Sequence, residues 1–378
     1  MNIEKFHPGE LRQQYHYQSF QPSPVNHPWT WEDPEIHSLL AEANRRLGEL
    51  NGLSLIVPDI DLFIQMHVVK EAQTSSRIEG TRTEMDEALE ESPEQITPEK
   101  RDDWQEVRNY IHAMNSSIEA LSTLPLSNRL LCQAHATLLD GSRGEGKTPG
   151  EFRRSQNWIG GATLADAIFI PPHHEEIHAL MGDLESLWHN EAITVPYLIR
   201  IAISHYQFET IHPFQDGNGR IGRLLIVLYL VSKRLLHRPC LYISDHLEKH
   251  RSAYYDSLMA VRTRGDLGQW IRFFLVAVIE TSMRGVETFQ KIHRLRQETA
   301  SRIATLGHRA SKAQQALDHI YRKPIVTGAQ RASQLGISQP TTDRLLANLV
   351  NLGILEELTG KKRNRVFCFR EYYQLFLS

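Results

Sequence analysis

The chain has 378 residues, 23% charged and 41% hydrophobic, and its 42 Lys and Arg against 45 Asp and Glu give a net charge of −3. That length predicts two or three domains with cores of their own, the composition excludes a disordered or fibrous chain, and the charge balance excludes a uniformly basic nucleic-acid coat. Three scattered cysteines (Cys132, Cys240, Cys368) without a C-x-x-C pair argue against a disulfide framework or a thiolate zinc site.

Residues 1 to about 35 mix Pro, His and aromatic side chains without periodicity and read as an irregular arm. Asp33-Pro34 opens a helix with Ile36, Leu39, Leu40, Ala43 and Leu47 at helical spacing, ending near Gly52. A second helix is expected at about 59–76, with Leu62, Met66, Val69 and Gln73 on adjacent turns and Gly80 beyond its end. After an acidic opening at 86–91, helical spacing returns at 104–121 and 128–139, the latter closed by the Gly-rich stretch 141–150. Between 152 and 172, β-branched and aromatic residues around Gly160-Gly161 predict a β-hairpin. Helices resume at 175–189, at 196–209 with Pro196 in the first turn, and at about 245–262 and 267–283.

From Arg284 onward, 16 Lys and Arg face 7 Asp and Glu, a net of +9 that leaves −12 to the rest of the chain. This shift predicts a domain boundary and a connecting helix at about 284–304. Helices at 313–322, 329–335 and 340–352, then two short strands around Gly360-Lys361, follow the order of a winged helix-turn-helix module. The domains are therefore drawn as 1–110, 111–285, a connecting helix 286–305, and 306–378. The longest apolar run, 224–231, is far short of the roughly 20 residues of a membrane span, and the polar N-terminus is no signal peptide. A cytoplasmic protein with no membrane contact is expected.

Chemistry concentrates in His212-Pro-Phe-Gln-Asp-Gly-Asn-Gly-Arg-Ile-Gly-Arg223. Gly217 and Gly219 free the backbone to turn, and the helix that follows offers unsatisfied N–H groups, which together make a nest for phosphate. Arg220 and Arg223 add two cations suited to the outer phosphates of a nucleotide. Asp216 supplies a hard oxygen ligand of the kind magnesium prefers, and His212 can accept a proton near neutral pH. A Walker-type loop is excluded, since G-x-x-x-x-G-K-[ST] is absent. The 19 histidines invite a metal-hydrolase reading through His173, His174, His205 and His212, but no H-E-x-x-H occurs and His205 reads as packing.

The same twelve residues match the Fic family signature, H-P-F-x-D-G-N-G-R-x-x-R, at every defined position, and the resemblance covers about residues 35–285. It implies a mainly α fold: a helical Fic-type core with a β-hairpin flap at about 157–170, here followed by the winged-helix module. It further implies transfer of AMP from ATP to a Ser, Thr or Tyr hydroxyl of a target protein and of the enzyme itself. His212 would deprotonate that hydroxyl, and Asp216 would hold Mg2+ on the α- and β-phosphates. Asn218 and the amides of Gly217 and Gly219 would serve the α-phosphate, and Arg220 and Arg223 the β- and γ-phosphates, with Ile221 and Gly222 in the same ATP-binding segment. Phosphorylating relatives look to have Lys where this chain has Gly219, so glycine favours AMP transfer. Arg251, Tyr254 and Tyr255 resemble the stretch lining the base pocket, with Tyr255 the stronger candidate, while Arg262 stands where some relatives look to have Asn.

Ser75 to Gly80 resembles the family's inhibitory motif, [ST]-x-x-x-E-[GN], on a helix at about 59–80. Ser75 and Glu79 lie one turn apart, and the resemblance implies that Glu79 pairs with Arg223 and blocks the γ-phosphate in cis. The same Glu could alternatively position water to remove AMP, giving a bifunctional enzyme. A DNA-binding regulator is the reading from another class: Thr341, Thr342 and Arg344 on a recognition helix, and Lys361, Lys362, Arg363 and Arg365 on a wing against phosphates. Winged-helix modules also make protein contacts, and a homodimer is compatible with the sequence.

Overall fold

Apolar residues recurring every three to four positions bury one stripe of most of the outer helices, and the longest helix gathers several of those stripes along its length. The computed structural model describes every residue except 58, 91, 143–145, 328–335, 337, 361–364 and 378. Helix α1 (Pro34–Ile56) starts on Asp33, whose carboxylate accepts the Glu35 N–H at 2.8 Å, and runs a turn past the expected stop at Gly52. It is followed by α2 (Ile60–Ile78), α3 (Met85–Ala88), α4 (Arg101–Ala120), α5 (Asn128–Leu139) and α6 (Ile177–His189). At the centre lie α7 (Tyr197–Ile211) and α8 (Asn218–Ser232), buried on nearly every face. Residues 212–217, carrying most of the signature, are the turn between them.

Three corrections concern the body. The N-terminal arm contains an antiparallel hairpin, β1 (Gly9–Gln13) and β2 (Gln18–Pro22), which lacks the expected alternation because one strand lies almost wholly in solvent. The segment expected as one helix at 245–262 is broken into α9 (Ser244–Lys249) and α10 (Arg251–Arg264) at His250, whose φ of −113° and ψ of 34° leave the helical region. The two helices expected around Arg284 are a single 38-residue helix, α11 (Leu267–Ala304). The charge shift at Arg284 therefore falls inside a helix: the apolar stripe Val278, Val286, Phe289, Ile292 keeps one face buried on both sides of it, and Thr281, Ser282 and Gly285 do not end the helix.

The flap is also less regular than expected. Its strands reduce to a single bridge, Ile159 to Phe169, around the short turn Leu164–Asp166, where the Asp166 carboxylate takes the N–H groups of Ala162 and Thr163. One edge of the flap is already used, because Phe20 of β2 donates its N–H to Ile170 O at 2.9 Å.

The C-terminal part comprises α12 (Ala310–Arg322), β3 (Ile325–Thr327), α13 (Gln339–Asn351), β4 (Glu356–Glu357), β5 (Val366–Cys368) and α14 (Arg370–Gln374). Its strands order β3-β5-β4, all antiparallel, so β3 joins the two expected strands. The helix expected at 329–335 and the cations Lys361, Lys362 and Arg363 lie outside the described residues. Of the remaining candidate contacts, Thr342 is fully buried, while Arg365 bonds Glu357 at 3.1 Å and covers the Phe367 ring at 5.0 Å. Thr341 and Arg344 are exposed.

Where α1 crosses α11, Gly285 makes the close approach: a Cβ there would lie 2.8 Å from Leu50 Cδ1. Gly285→Val should overpack this crossing and cost about 1–3 kcal/mol, read as a lower urea midpoint with an unchanged m-value.

Candidate active site

The turn between α7 and α8 has a strained backbone. His212 ends α7 in the left-handed region (φ 50°, ψ 60°), a conformation a non-glycine residue holds only when its surroundings impose it. They do so through its carbonyl, which accepts from Arg153 Nε at 3.0 Å and Asn157 Nδ2 at 3.2 Å. The backbone N–H of Arg153 binds Pro213 O at 2.9 Å, and its buried guanidinium also reaches the carbonyls of Ser155 and Pro172. Asn157 Nδ2 then binds Phe214 O at 2.9 Å. Two residues from the base of the flap thus hold the reactive loop.

Phe214 is the loop's anchor: it is fully buried and stacks on the His135 ring with centroids 3.8 Å apart. His135 is neutral, since burial pushes it down to about 4. It accepts the Gly150 N–H on Nδ1 at 2.9 Å, so Nε2 carries the proton and donates to Asp216 O at 3.0 Å. Asn218 closes the loop, bonding both the N–H and the C=O of Phe214 at 2.8 Å. Its side chain therefore shapes the turn, and the N–H groups at the start of α8 are the donors that could meet an anion there. Gly217 completes the turn at φ 73°.

Inside this frame lies His212, whose Nδ1 is buried without a hydrogen-bond partner. Burial, then the positive charges of Arg262 and Arg153, pushes His212 down to about 3. Asp216, with 46% of its side chain exposed, lies 3.5 Å from Arg220 Nη2. A single exposed carboxylate beside a phosphate nest fits a magnesium ion that keeps most of its waters, and the described residues contain no cluster of three or more metal-ligating side chains.

The two arginines differ. Arg220 is buried against Glu106 at 2.9 Å, an acidic partner on α4 that motif spacing could not mark. Arg223 is enclosed by the end of α2: Nη2 binds Glu79 Oε1 at 2.7 Å and Ser75 O at 2.8 Å, and Nε binds Ser75 Oγ at 2.8 Å. Glu79 follows the last residue of α2, and Gly80 turns the chain away at φ 106°. Ser75, Glu79 and Arg223 are thus brought together. Gly219 faces this cluster, and a Cβ there would fall 2.2 Å from Glu79 Oε1.

The remaining candidates separate. The side chain of Ile221 is core, and Gly222 gives its carbonyl to His205 Nδ1 at 2.9 Å, while His205 Nε2 meets the Tyr254 hydroxyl at 2.8 Å. His205 and Tyr254 are therefore packing residues, whereas Tyr255 is 39% exposed beneath Arg251. Arg262 donates to Glu209 O at 2.9 Å and lies 4.1 Å over the Phe169 ring of the flap, at the inner end of a groove of about 910 Å³ between the arm, the flap and α10. Sequence reasoning missed Glu209 as well as Arg153, Asn157, His135 and Glu106. Burial pushes the Glu209 carboxyl up to about 7 despite the opposing charge of Arg223, and a Cβ on Gly222 would lie 2.2 Å from its Oε1.

Comparison with known proteins agrees with this architecture. The Fic/DOC family N-terminal model matches residues 37–119 and the Fic/DOC family model matches 125–230. Proteins named protein adenylyltransferase Fic from Aedes aegypti and Culex quinquefasciatus are 35% and 36% identical over 125 residues, 33% of this chain and 22% of theirs. The matched segment thus spans about a fifth of those relatives. A Fic family protein from Desulfovibrio desulfuricans G20 superposes with a TM-score of 0.58 at 22% identity, covering 91% of this chain and 98% of that one. A Fic domain containing signaling protein from Bacteroides thetaiotaomicron superposes at 0.53 with 18% identity, over 68% of this chain and 97% of that one. A helical core carrying a glycine-containing turn at a helix start, a partly covered histidine and a paired arginine defines the site's class. The chain belongs to the Fic family. No helix among the described residues is long and apolar enough to cross a membrane.

Because its folded-state value is depressed, His212 should stay neutral as pH falls through 6.5, where an exposed histidine protonates. The native state then binds fewer protons than the unfolded state, so this residue's contribution to stability falls as pH drops. NMR of the His212 imidazole should show no titration between pH 5 and 8; a midpoint near 6.5 would contradict the burial argument.

Proposed function

We propose that this protein transfers AMP from ATP to a Ser, Thr or Tyr hydroxyl of a target protein and of itself, and that Glu79 restrains the reaction. His212, neutral, takes the proton of the attacking hydroxyl. The hydroxyl oxygen forms a bond to the α-phosphorus, the bond from that phosphorus to the β-phosphate bridging oxygen breaks, and pyrophosphate leaves. The N–H groups at the start of α8 would stabilise the charge that develops on the α-phosphate, while the Gly217 N–H is bonded to Asp216 Oδ1 at 2.5 Å. Magnesium, held by Asp216, would neutralise the α- and β-phosphates. Arg220 and Arg223 provide the cationic end of the site. Two features support AMP transfer over phosphorylation: glycine at 219, and the naming of the matched relatives as adenylyltransferases.

The observation that carries the restraint is the 2.7 Å contact between Glu79 and Arg223. A carboxylate on a guanidinium fork occupies the place a terminal phosphate would take. Incubation with ATP and magnesium, followed by intact-mass analysis, tests both halves. Glu79→Gly should raise AMP incorporation above wild type, and His212→Ala in that background should lower it about 10²- to 10⁴-fold. A phosphate-sized mass increment would overturn the AMP reading, and no rise for Glu79→Gly would remove the restraint.

A second reading concerns the C-terminal part, where His308, Arg309, Lys312 and Arg344 line a hollow of about 290 Å³ that has no acidic residue in its wall among the described residues. That charge pattern favours contact with nucleic-acid phosphates through α12 and α13. Full-length protein should shift random duplex DNA at low salt, and Arg309→Glu with Lys312→Glu should abolish the shift. An unchanged shift would exclude this surface.

A further inference from the structure

At four-residue intervals Phe63, His67, Glu71, Ser75 and Glu79 form a stripe that winds slowly along α2. Its far end is the Arg223 site. Its near end is gripped by the C-terminal part of the chain. The Phe63 ring meets Tyr321 and Tyr372 edge-on, with centroids 5.2 and 6.2 Å apart, and His67 meets Phe376 at 4.9 Å. The three C-terminal rings also hold one another: Tyr372 lies 4.9 Å from Tyr321 and 5.2 Å from Phe376. All are buried. On the other side of Glu79 in sequence, Lys323 Nζ binds Glu90 Oε2 at 3.0 Å, two residues after α3 ends. The C-terminal part therefore touches the chain both before and after the glutamate.

Other contacts also hold the start of α2: Arg296 pairs with Asp59 and lies over the Phe63 ring at 5.9 Å, and Arg238 pairs with Asp61 at 3.3 Å. Asp59 precedes it in the left-handed region at φ 54° and gives no side-chain cap. In its middle, Glu71 is held by the N–H and hydroxyl of Ser244. The aromatic grip is therefore one of several restraints on the first two turns, beside the stacking of His67 on Tyr242 at 5.3 Å and the contact of His67 with Phe289 at 5.1 Å. Sixteen residues separate Phe63 from Glu79, about 24 Å of helix at 1.5 Å per residue, short enough for a shift at one end to move the other. The grip borders an open groove of about 70 Å³ lined by His67, Tyr242, Leu375 and Phe376 among others, and His67 Nε2 has no hydrogen-bond partner. An interface edged by a groove and carrying an unpaired ring nitrogen separates at less cost than one sealed on all sides.

We propose that the C-terminal part, residues 306–378, is a latch: its aromatic cluster and Lys323 hold α2 in place and so keep Glu79 on Arg223. A partner that draws the C-terminal part away from α2 would release the glutamate and admit the terminal phosphate. The latch rests on the restraint proposed for Glu79, and the two can fail separately.

The test uses full-length Phe376→Ala and Lys323→Ala, the second an ion-pair change at a buried lysine that leaves the aromatic cluster whole, each made with Glu79 present and in a Glu79→Gly background. Amide hydrogen exchange across 68–80 is followed alongside AMP incorporation. With Glu79 present, both variants should speed exchange and raise incorporation roughly three- to tenfold, the scale of one lost aromatic contact; with Glu79→Gly, incorporation should not change further. Unaltered exchange in both variants would overturn the latch, as would an equal change of incorporation in the two backgrounds. If Glu79→Gly by itself fails to raise incorporation, the restraint falls, while exchange still decides whether the C-terminal part holds α2.

Discussion

Arg223 is a permanent cation with 1% of its side chain exposed, and a buried guanidinium without an acidic partner is among the costlier defects a fold can carry. Much of the arrangement around it follows from that constraint. The Glu79 carboxylate, the Ser75 hydroxyl and the Ser75 carbonyl together engage Nε and Nη2, and each comes from the last turn of α2 or the residue just beyond it. Helix α2 must therefore reach α8 at one depth and one rotation. Gly219 must also lack a side chain, because a Cβ would overlap the carboxylate. A glycine that looks like part of a phosphate nest is, in this state, equally a space for glutamate.

The second constraint is conformational. A left-handed His212 costs on the order of 1–3 kcal/mol, and the hydrogen bonds from Arg153 and Asn157 to its carbonyl offset that cost. The same two residues sit at the base of the flap. Flap and catalytic turn are therefore one mechanical unit, and a rearrangement at residues 153–157 would reach His212 through its own backbone. The stacked His135 and Phe214 do the same work from α5, fixing the Asp216 carbonyl through a proton whose position the Gly150 N–H dictates.

What the sequence made legible was contiguous or periodic. The run His212 to Arg223 packs its chemistry into twelve residues, and the Ser75–Glu79 pair is one helical turn, so both were readable and both meet in space. Helix α5 was placed at its observed bounds, since Ser127 caps it and its apolar stripe is regular. The misses share a cause: they depend on contacts between distant segments. Arg153 and Asn157 belong to no pattern until the loop 60 residues later lies against them. β1 and β2 pair through backbone groups that carry no side-chain code. Charge misled on the helix bounds alone: net charge changes at Arg284, yet an apolar stripe ignores charge on the solvent face, and α11 passes straight through.

Release of Glu79 is then a question of exchange and not of simple opening. If the glutamate left and nothing replaced it, Arg223 would keep only the serine contacts, and an uncompensated buried charge costs about 3–5 kcal/mol. On the proposed reading the incoming terminal phosphate supplies the missing anion, so nucleotide and glutamate compete for one guanidinium. Their relative strength depends less on the pair itself, which is similar in both states, than on how firmly α2 holds its end in place. A carboxylate carried on a fixed helix has lost its freedom during folding and pays nothing further to bind, whereas ATP must surrender its own. On that reading, loosening α2 removes the advantage without altering any residue of the site, and control of the proposed reaction can lie some 24 Å of helix away from the turn that carries His212.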